Sequence, residues 1–343
     1  MENKYISLKD MLVRYEKEPE TTYLWNGVKD KSFGLIYGPS KSGKTIFCEN
    51  LAMHLASGKT DYFGYPLDGT PKKVLFIGLE EFWRNRVERN KKQFESFSVA
   101  EQQLIGNNYK YQEIDFNRLI INETHFSELD ELIKTSDAQI VFIDSITRMN
   151  SGKLEESHNA EKIMQRLRSL CYDNQITLFC IHHTPKMQDT PITMDKIKGS
   201  SAFAQEADFA IGVSCTSNKV RYMKNVFFRY APDDDDVVKE FIIEPSCMLT
   251  PTGDATEEEL LRKTDRRTST NIDAMASMIN GNANTTLSTA ECVEYFISEL
   301  GIKERQIKYN LTELVKEGKI QNPSWGVYAS IDYQTNNEDG HGV

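Results

Sequence analysis

The sequence predicts an α/β fold: a mainly parallel sheet flanked by helices, followed by a small C-terminal unit. Three observations predict it. Short apolar runs alternate with amphipathic stretches between residues 33 and 245. A glycine-rich segment joins the first of those runs to a helix. The apolar pattern thins out after Pro251 and resumes near Ser288. At 343 residues the chain is long enough for one large domain with a smaller companion. Hydrophobic residues make up 39% and charged residues 27%, the balance of a folded globular chain rather than a disordered one.

In chain order, residues 1–32 read as an N-terminal segment packing on the core, and 33–250 as the main domain. Its strands are the runs Phe33 to Tyr37, Val74 to Gly78, Ile140 to Ile143, Thr177 to Ile181, Phe209 to Val213 and Val226 to Arg229. Residues 44–57 and 157–173 are its clearest helices. From 251 to 286 Thr, Asp, Glu, Arg and Asn displace apolar residues, so this stretch reads as a linker, with one helical piece at 256–263. The second unit, 287–331, opens with Ser288-x-x-Glu291, a capping box in which each side chain satisfies a free amide of a helix start. A second helix near Lys303 to Glu317 puts Ile307, Leu311, Leu314 and Val315 on one face and stops at Gly318. Lys319 to Ile331 then reads as two strands turning at Asn322-Pro323-Ser324, and 332–343 as a disordered polar tail.

Composition narrows the setting. No apolar run approaches the roughly 18 residues of a membrane span, and the first ten residues lack the apolar core of a signal peptide, so a cytoplasmic protein without membrane contact is expected. The six cysteines are scattered without a Cys-x-x-Cys pair, signalling neither a zinc site nor a disulfide framework. A net charge of -10 confines any nucleic-acid surface to a local patch. Part of the acidity, Asp233 to Asp236, reads as a solvated loop.

Residues 38–45, Gly38-Pro39-Ser40-Lys41-Ser42-Gly43-Lys44-Thr45, carry the spacing Gly-x-x-x-x-Gly-Lys-Thr after an apolar strand and before a helix that begins with Ile46 behind Thr45. That is the context a phosphate-binding P-loop requires. Glycine lets the backbone wrap the anion, the first helix amides face it, Lys44 neutralises β and γ charge, and the Thr45 hydroxyl ligates magnesium. ATP and Mg2+ are the cofactors this implies. Gln139-Ile-Val-Phe-Ile-Asp144 is a buried strand ending in an acid, placed to hold the water shell of the magnesium; its plainer reading is a carboxylate capping the next loop. Ser145 follows, so no acidic pair stands there. The base is sought at Glu80-Glu81, which end the strand Val74-Leu-Phe-Ile-Gly-Leu. Glu80 is preferred, on a strand expected beside that of the P-loop, and the alternative is that both glutamates open an exposed helix carrying Arg84, Arg86 and Arg89.

This set resembles the RecA-like superfamily and, within it, the hexameric replicative helicases of DnaB and plasmid RepA type. The resemblance covers about residues 20–245 and implies further roles. Leu178-Phe-Cys-Ile-His-His183-Thr-Pro-Lys186 looks like the strand that senses the γ-phosphate, with His183 at its tip. Lys198-Gly-Ser-Ser-Ala-Phe-Ala-Gln-Glu-Ala-Asp208 resembles the segment that closes a central-channel loop of about 186–198, whose Lys186, Lys196 and Lys198 would meet single-stranded DNA. Lys224-Asn-Val-Phe-Phe-Arg229 resembles the strand that presents a cation to the nucleotide of the adjoining subunit, with Arg229 first and Lys224 second. Phe227 and Phe228 depart from the Lys-Gln that DnaB proteins carry before their arginine, and no primase-binding helical domain of DnaB type is recognisable.

The C-terminal unit looks like a winged helix, in which Lys303, Arg305, Lys308 and Tyr309 would face duplex DNA while Trp325 packs the wing. Winged helices also dock proteins. The function expected is therefore an oligomeric, hexameric ATPase acting on DNA, a helicase or replication protein of a plasmid or mobile element. A DNA-binding regulator or loader that does not unwind, and a defence or assembly ATPase whose wing recruits a protein, stand beside it.

Overall fold

A computed structural model of the protein describes residues 5–334 apart from 19, 21, 150–156, 188, 198–205, 232–236 and 282–284. Lys198, the Gly-Ser-Ser segment, the acidic run Asp233 to Asp236 and positions 335–343 of the tail therefore lie outside the described residues. The chain divides into two compact units, Met1–Leu260 and Leu261–Val343.

In the first unit, helix α1 (Leu8–Tyr15) precedes a hairpin of β1 (Tyr23–Trp25) and β2 (Val28–Lys29). The P-loop strand β3 (Phe33–Pro39) follows, then α2 (Lys44–Ser57), a hairpin of β4 (Asp61–Tyr62) and β5 (Tyr65–Pro66), and β6 (Val74–Gly78). Next come α3 (Trp83–Phe94), α4 (Val99–Asn108), β7 (Tyr109–Tyr111), α5 (Glu123–Ser136) and β8 (Ile140–Asp144). The unit continues through α6 (Ser157–Asn174), β9 (Thr177–Thr184), β10 (Phe209–Cys215), β11 (Arg221–Phe228), β12 (Val237–Ile243) and β13 (Leu249–Thr256).

Nine strands form one sheet in the order β13-β12-β11-β10-β3-β9-β8-β6-β7. From β10 to β7 neighbouring strands are parallel, and β11, β12 and β13 extend the sheet antiparallel. Because successive side chains on a strand point to opposite faces, each central strand feeds two cores. Leu35, Leu75, Ile143 and Leu178 join one with Ile133 of α5 and Leu167 of α6. Ile36, Phe76, Phe142 and Phe179 join the other with Phe47, Leu51 and Leu55 of α2. Phe142 stacks between Phe76 at 5.7 Å and Phe179 at 4.7 Å, binding three adjacent strands through one aromatic row.

Several sequence expectations are corrected. The strand carrying Glu80, β6, is not beside the P-loop strand: β9 and β8 lie between them, and β6 pairs with β8, the strand of Asp144. The stretch 251–286 is not a linker, since it holds most of β13, helix α7 (Glu257–Asn280) and the start of strand β14 (Thr286–Ser288). β13 is an edge strand with mostly exposed residues, where Pro251 and Gly253 cost no ladder bond on the open side. The finger strand begins at Arg221 rather than at Val226, and β12 and β13 follow it. Of the N-terminal segment, Leu24, Trp25 and Val28 do enter the core. Helix α1 does not pack on it: none of its residues is buried, and Leu8, Met11, Leu12 and Tyr15 lie exposed.

The second unit contains the larger part of α7, then β14, α8 (Thr289–Leu300), α9 (Glu304–Lys316), β15 (Gln321–Ser324) and β16 (Val327–Ala329), with the strands ordered β14-β16-β15. Ser288 caps α8 as the sequence indicates: its hydroxyl accepts from the Glu291 amide, and the Glu291 carboxylate accepts from the Ser288 amide. Met275, Cys292, Phe296, Ile307, Leu311 and Leu314 build its core. The hairpin turns at Trp325-Gly326, not at Asn322-Pro323-Ser324, because the turn needs a left-handed residue and Gly326 supplies it at φ 74°. Trp325 packs nothing there: it is 98% exposed.

Candidate nucleotide site

The site is built at the C-terminal ends of β3, β9, β8 and β6. Gly38 leaves β3 at φ 151°, and a Cβ there would stand 2.0 Å from the carbonyl oxygen of Val213 on β10, so only glycine fits. The loop ends at Gly43, which precedes α2 with φ 107° and no side-chain cap, leaving the first amides of that helix for an anion. Lys44 is buried, and its ammonium donates to the carbonyls of Gly38 at 2.9 Å and Pro39 at 2.7 Å. Burial pushes that ammonium down to about 8, although Asp144 pulls the other way. A cation in this setting gains from a phosphate. The Ser42 hydroxyl is buried with no hydrogen-bond partner, a further polar group inside the cradle that no protein group satisfies. Ile46 is the second residue behind Lys44 on α2 and packs against the core of that face.

The Thr45 hydroxyl donates to the Asp144 carboxylate at 2.7 Å, joining the helix start to the end of β8. Asp144 is 7% exposed, and burial pushes its carboxyl up, so a divalent cation beside it would restore its charge. Register sets the rest. Gly78, the last residue of β6, pairs with Asp144, which brings Glu80, two residues on, over the same edge. His183 on β9 pairs with Gly38 across the ladder.

Glu80 is held from three sides. The hydroxyls of Ser145 and Thr147 donate to its Oε1, and His183 Nε2 stands 3.1 Å from its Oε2. Burial alone would raise its carboxyl, but bonds from His183, Ser145 and Thr147 outweigh that and hold it at about 2. It therefore stays ionised, an acceptor for a water proton. Glu81 points elsewhere: Arg89 binds it at 2.7 Å and binds the buried Glu49 at 2.6 Å. Of the adjacent glutamates, only Glu80 reaches the phosphate edge. Ser145 and Thr147 were not singled out from sequence, where the signal available was a hydroxyl directly behind the strand-end acid. His182, next to the sensor, is pushed down to about 4 by burial, with His183 and Lys44 adding to it, and stays neutral.

Glu80, Asp144 and His183 each bring one ligand atom within 4.8 Å of the others. Mg2+ takes oxygen ligands in octahedral geometry and keeps much of its water, so Thr45 and Asp144 suit it, and the imidazole of His183 does not. The residues fit Mg-ATP: an anion cradle, one buried ammonium, a hydroxyl and carboxylate for the metal, and a second carboxylate for water.

A family model for an AAA domain, AAA_25, matches residues 8–189, more than half of the chain and the whole stretch from the P-loop to His183. The chain belongs to this family. Among solved structures, a helicase ATPase domain aligns over 72% of this chain and 99% of its own with 14% identity and a TM-score of 0.52, which shows a common fold. A KaiC-like protein of the hyperthermophilic archaeon Pyrococcus horikoshii aligns over 66% of this chain and 91% of its own with 15% identity and a TM-score of 0.46. No curated protein matches the sequence. The core is a RecA-like ATPase fold, and no helix among the described residues is long and apolar enough to cross a membrane.

The other residues singled out from sequence lie apart from this cluster. Arg229 directly follows β11 near the start of β3, at the edge opposite the P-loop, where its Nε stands 3.4 Å from Asp208 Oδ1. Lys224 is not available as an outward cation: its ammonium sits 2.5 Å from the buried carboxylate of Glu257, which also accepts from Tyr222 and the Ile192 amide. Lys186 and Lys196 are exposed, the latter on a single turn of 3-10 helix, Met194–Lys196. In the second unit Lys303, Arg305, Lys308 and Tyr309 are all exposed on or beside α9, and Lys308 pairs with Glu304 at 2.7 Å. Arg86 is not on an exposed face as expected from sequence; it is 4% exposed and donates to the Gly78 carbonyl at 3.0 Å, bracing the end of β6.

Proposed function

We propose that this chain hydrolyses ATP as a homo-oligomer, a hexamer, and couples hydrolysis to movement on DNA, as a helicase or replication protein of a plasmid or mobile element. The observation that carries the hydrolytic part is the convergence of Lys44, Thr45, Asp144, Glu80 and His183 on one sheet edge. Bound Mg2+ would neutralise charge on the β and γ phosphates, and Thr45 and Asp144 are the residues that would hold it. Lys44 holds the phosphates. Glu80 accepts a hydrogen bond from the attacking water and orients it for in-line attack, its own position fixed by Ser145, Thr147 and His183. His183 touches both the water-orienting group and the strand leading to Lys186, so it can relay the state of the γ-phosphate to the loop of Lys186, Lys196 and Lys198. Arg229 of a neighbouring subunit would complete the site by charge, which makes hydrolysis depend on assembly.

The DNA part is supported by the resemblance to DnaB and RepA helicases, by the lysines of that loop, and by the exposed Lys303, Arg305, Lys308 and Tyr309 of the unit read as a winged helix. A strand-displacement assay with a forked duplex tests it. Unwinding that requires ATP and Mg2+ is the expected result, and nucleotide-dependent DNA binding without unwinding moves the protein to the regulator or loader reading. One observation favours a protein-docking wing instead. Trp325 is 98% exposed at the hairpin tip, while Lys308 is already paired with Glu304. Capture of a replication or element-encoded protein through residues 287–331, with no DNA affinity at low salt, would decide for it.

A further inference from the structure

Among the described residues, one cation beside the P-loop has no counter-charge. Arg221 opens β11, the strand next to β10, and a Cβ built on Gly43 would meet its Cδ at 3.8 Å. Its Nε is buried without a hydrogen-bond partner, and among the described residues no carboxylate or carbonyl engages the guanidinium. An arginine with a buried, unsatisfied nitrogen is costly unless something absent from the apo chain binds it, and a guanidinium is the side chain best shaped for phosphate.

The sheet order says which part of the nucleotide it meets. β3 is flanked by β9, β8 and β6 on one side, and these carry His183, Asp144 and Glu80 to the γ end of the phosphates. Arg221 stands on the other side of β3, beyond β10. Ile243 and Phe241 of β12 flank Gly43 there as well, with Cδ1 and Cε2 at 3.3 and 3.8 Å from the same Cβ position, and Ile243 is only partly buried. A triphosphate whose γ end lies against Glu80 leaves the P-loop on this side, so the flank offers a cation followed by an apolar wall.

We infer that Arg221 binds the α-phosphate of the nucleotide held by its own chain, with Ile243 against the nucleoside. This rests on the ATP reading of the P-loop. It differs from the role given to Arg229, which acts on a neighbour and on the reacting phosphate.

Calorimetric titration of the full chain with ATP and with ADP, for wild type, Arg221→Ala and Arg221→Gln, tests the assignment. Thermal midpoints without nucleotide identify any variant that has lost its fold, and the other variant then carries the comparison. The expected result is an affinity loss of about 10-fold or more, equal for ATP and ADP, the size of one charged hydrogen-bonding contact. Unchanged affinities in a folded variant overturn the assignment. So does a loss confined to ATP, which would put Arg221 at the γ end. A wild type that binds neither nucleotide overturns the ATP reading itself, a result distinct from both.

Discussion

The phosphate edge of the first unit and the outward face of α9 in the second both collect charged residues, yet they carry very different amounts of information. At the phosphate edge Lys44 and Asp144 are buried, Glu80 is bonded by three side chains, and Arg89 draws its neighbour Glu81 away. Each charge there is costly unless its geometry serves something, so the arrangement points to one chemistry. On α9 the cations are solvated, Lys308 is paired with Glu304 one turn away, and moving any of them costs little. A buried polar constellation reports function; an exposed basic face is compatible with DNA, protein or water alone.

Substitutions can break or sharpen that contrast, and the largest effect is expected at the P-loop. Lys44→Ala should abolish ATP hydrolysis and weaken ATP binding by about 10-fold or more, through loss of a charge-assisted contact. Calorimetry and phosphate release measure the two effects, and an active variant would remove the phosphate edge from the comparison. Arg89→Ala leaves Glu49, fully buried, without its ion pair and frees Glu81. It should destabilise the fold by about 3 kcal/mol, read as a drop in denaturant midpoint, because a lone buried carboxylate is worse than none. Ser145→Ala removes one of three bonds that hold Glu80. Turnover should fall by about 10-fold with ATP affinity unchanged, a split between kcat and Kd that general destabilisation would not produce. Trp325→Ala lies at the other end of the scale. A side chain 98% exposed contributes under about 0.5 kcal/mol to stability, so the thermal midpoint should stay put whatever happens to partner binding.

Which parts were legible in the sequence follows the same division. The P-loop could be read because glycine at Gly38 and Gly43 answers a backbone demand that no other residue meets, and because a strand and a helix flank it. Asp144 and Glu80 could be read as acids at strand ends, but their adjacency could not, since sequence order does not contain sheet order: β9 enters between β3 and β8 although it follows both. Choosing Glu80 over Glu81 physically required Arg89, a full helical segment away. β13 and α7 looked like a linker because an edge strand and an exposed helix need few apolar residues. In β12 the alternation is interrupted by Lys239-Glu240, so it reads weakly as a strand. The open face of α1 was equally invisible, as its Leu and Met spacing is that of a helix packed on a core.

The central claim is that Glu80, and not its neighbour, orients the attacking water. Single-turnover release of γ-phosphate from Mg-ATP by Glu80→Gln and Glu81→Gln, with ATP affinity measured on the same samples, tests it directly. Glu80→Gln should slow release by about 100-fold or more while binding ATP normally, the scale of a lost general base or water-orienting group, and Glu81→Gln should keep most of the wild-type rate. Full activity in Glu80→Gln, or a collapse confined to Glu81→Gln, would contradict the account.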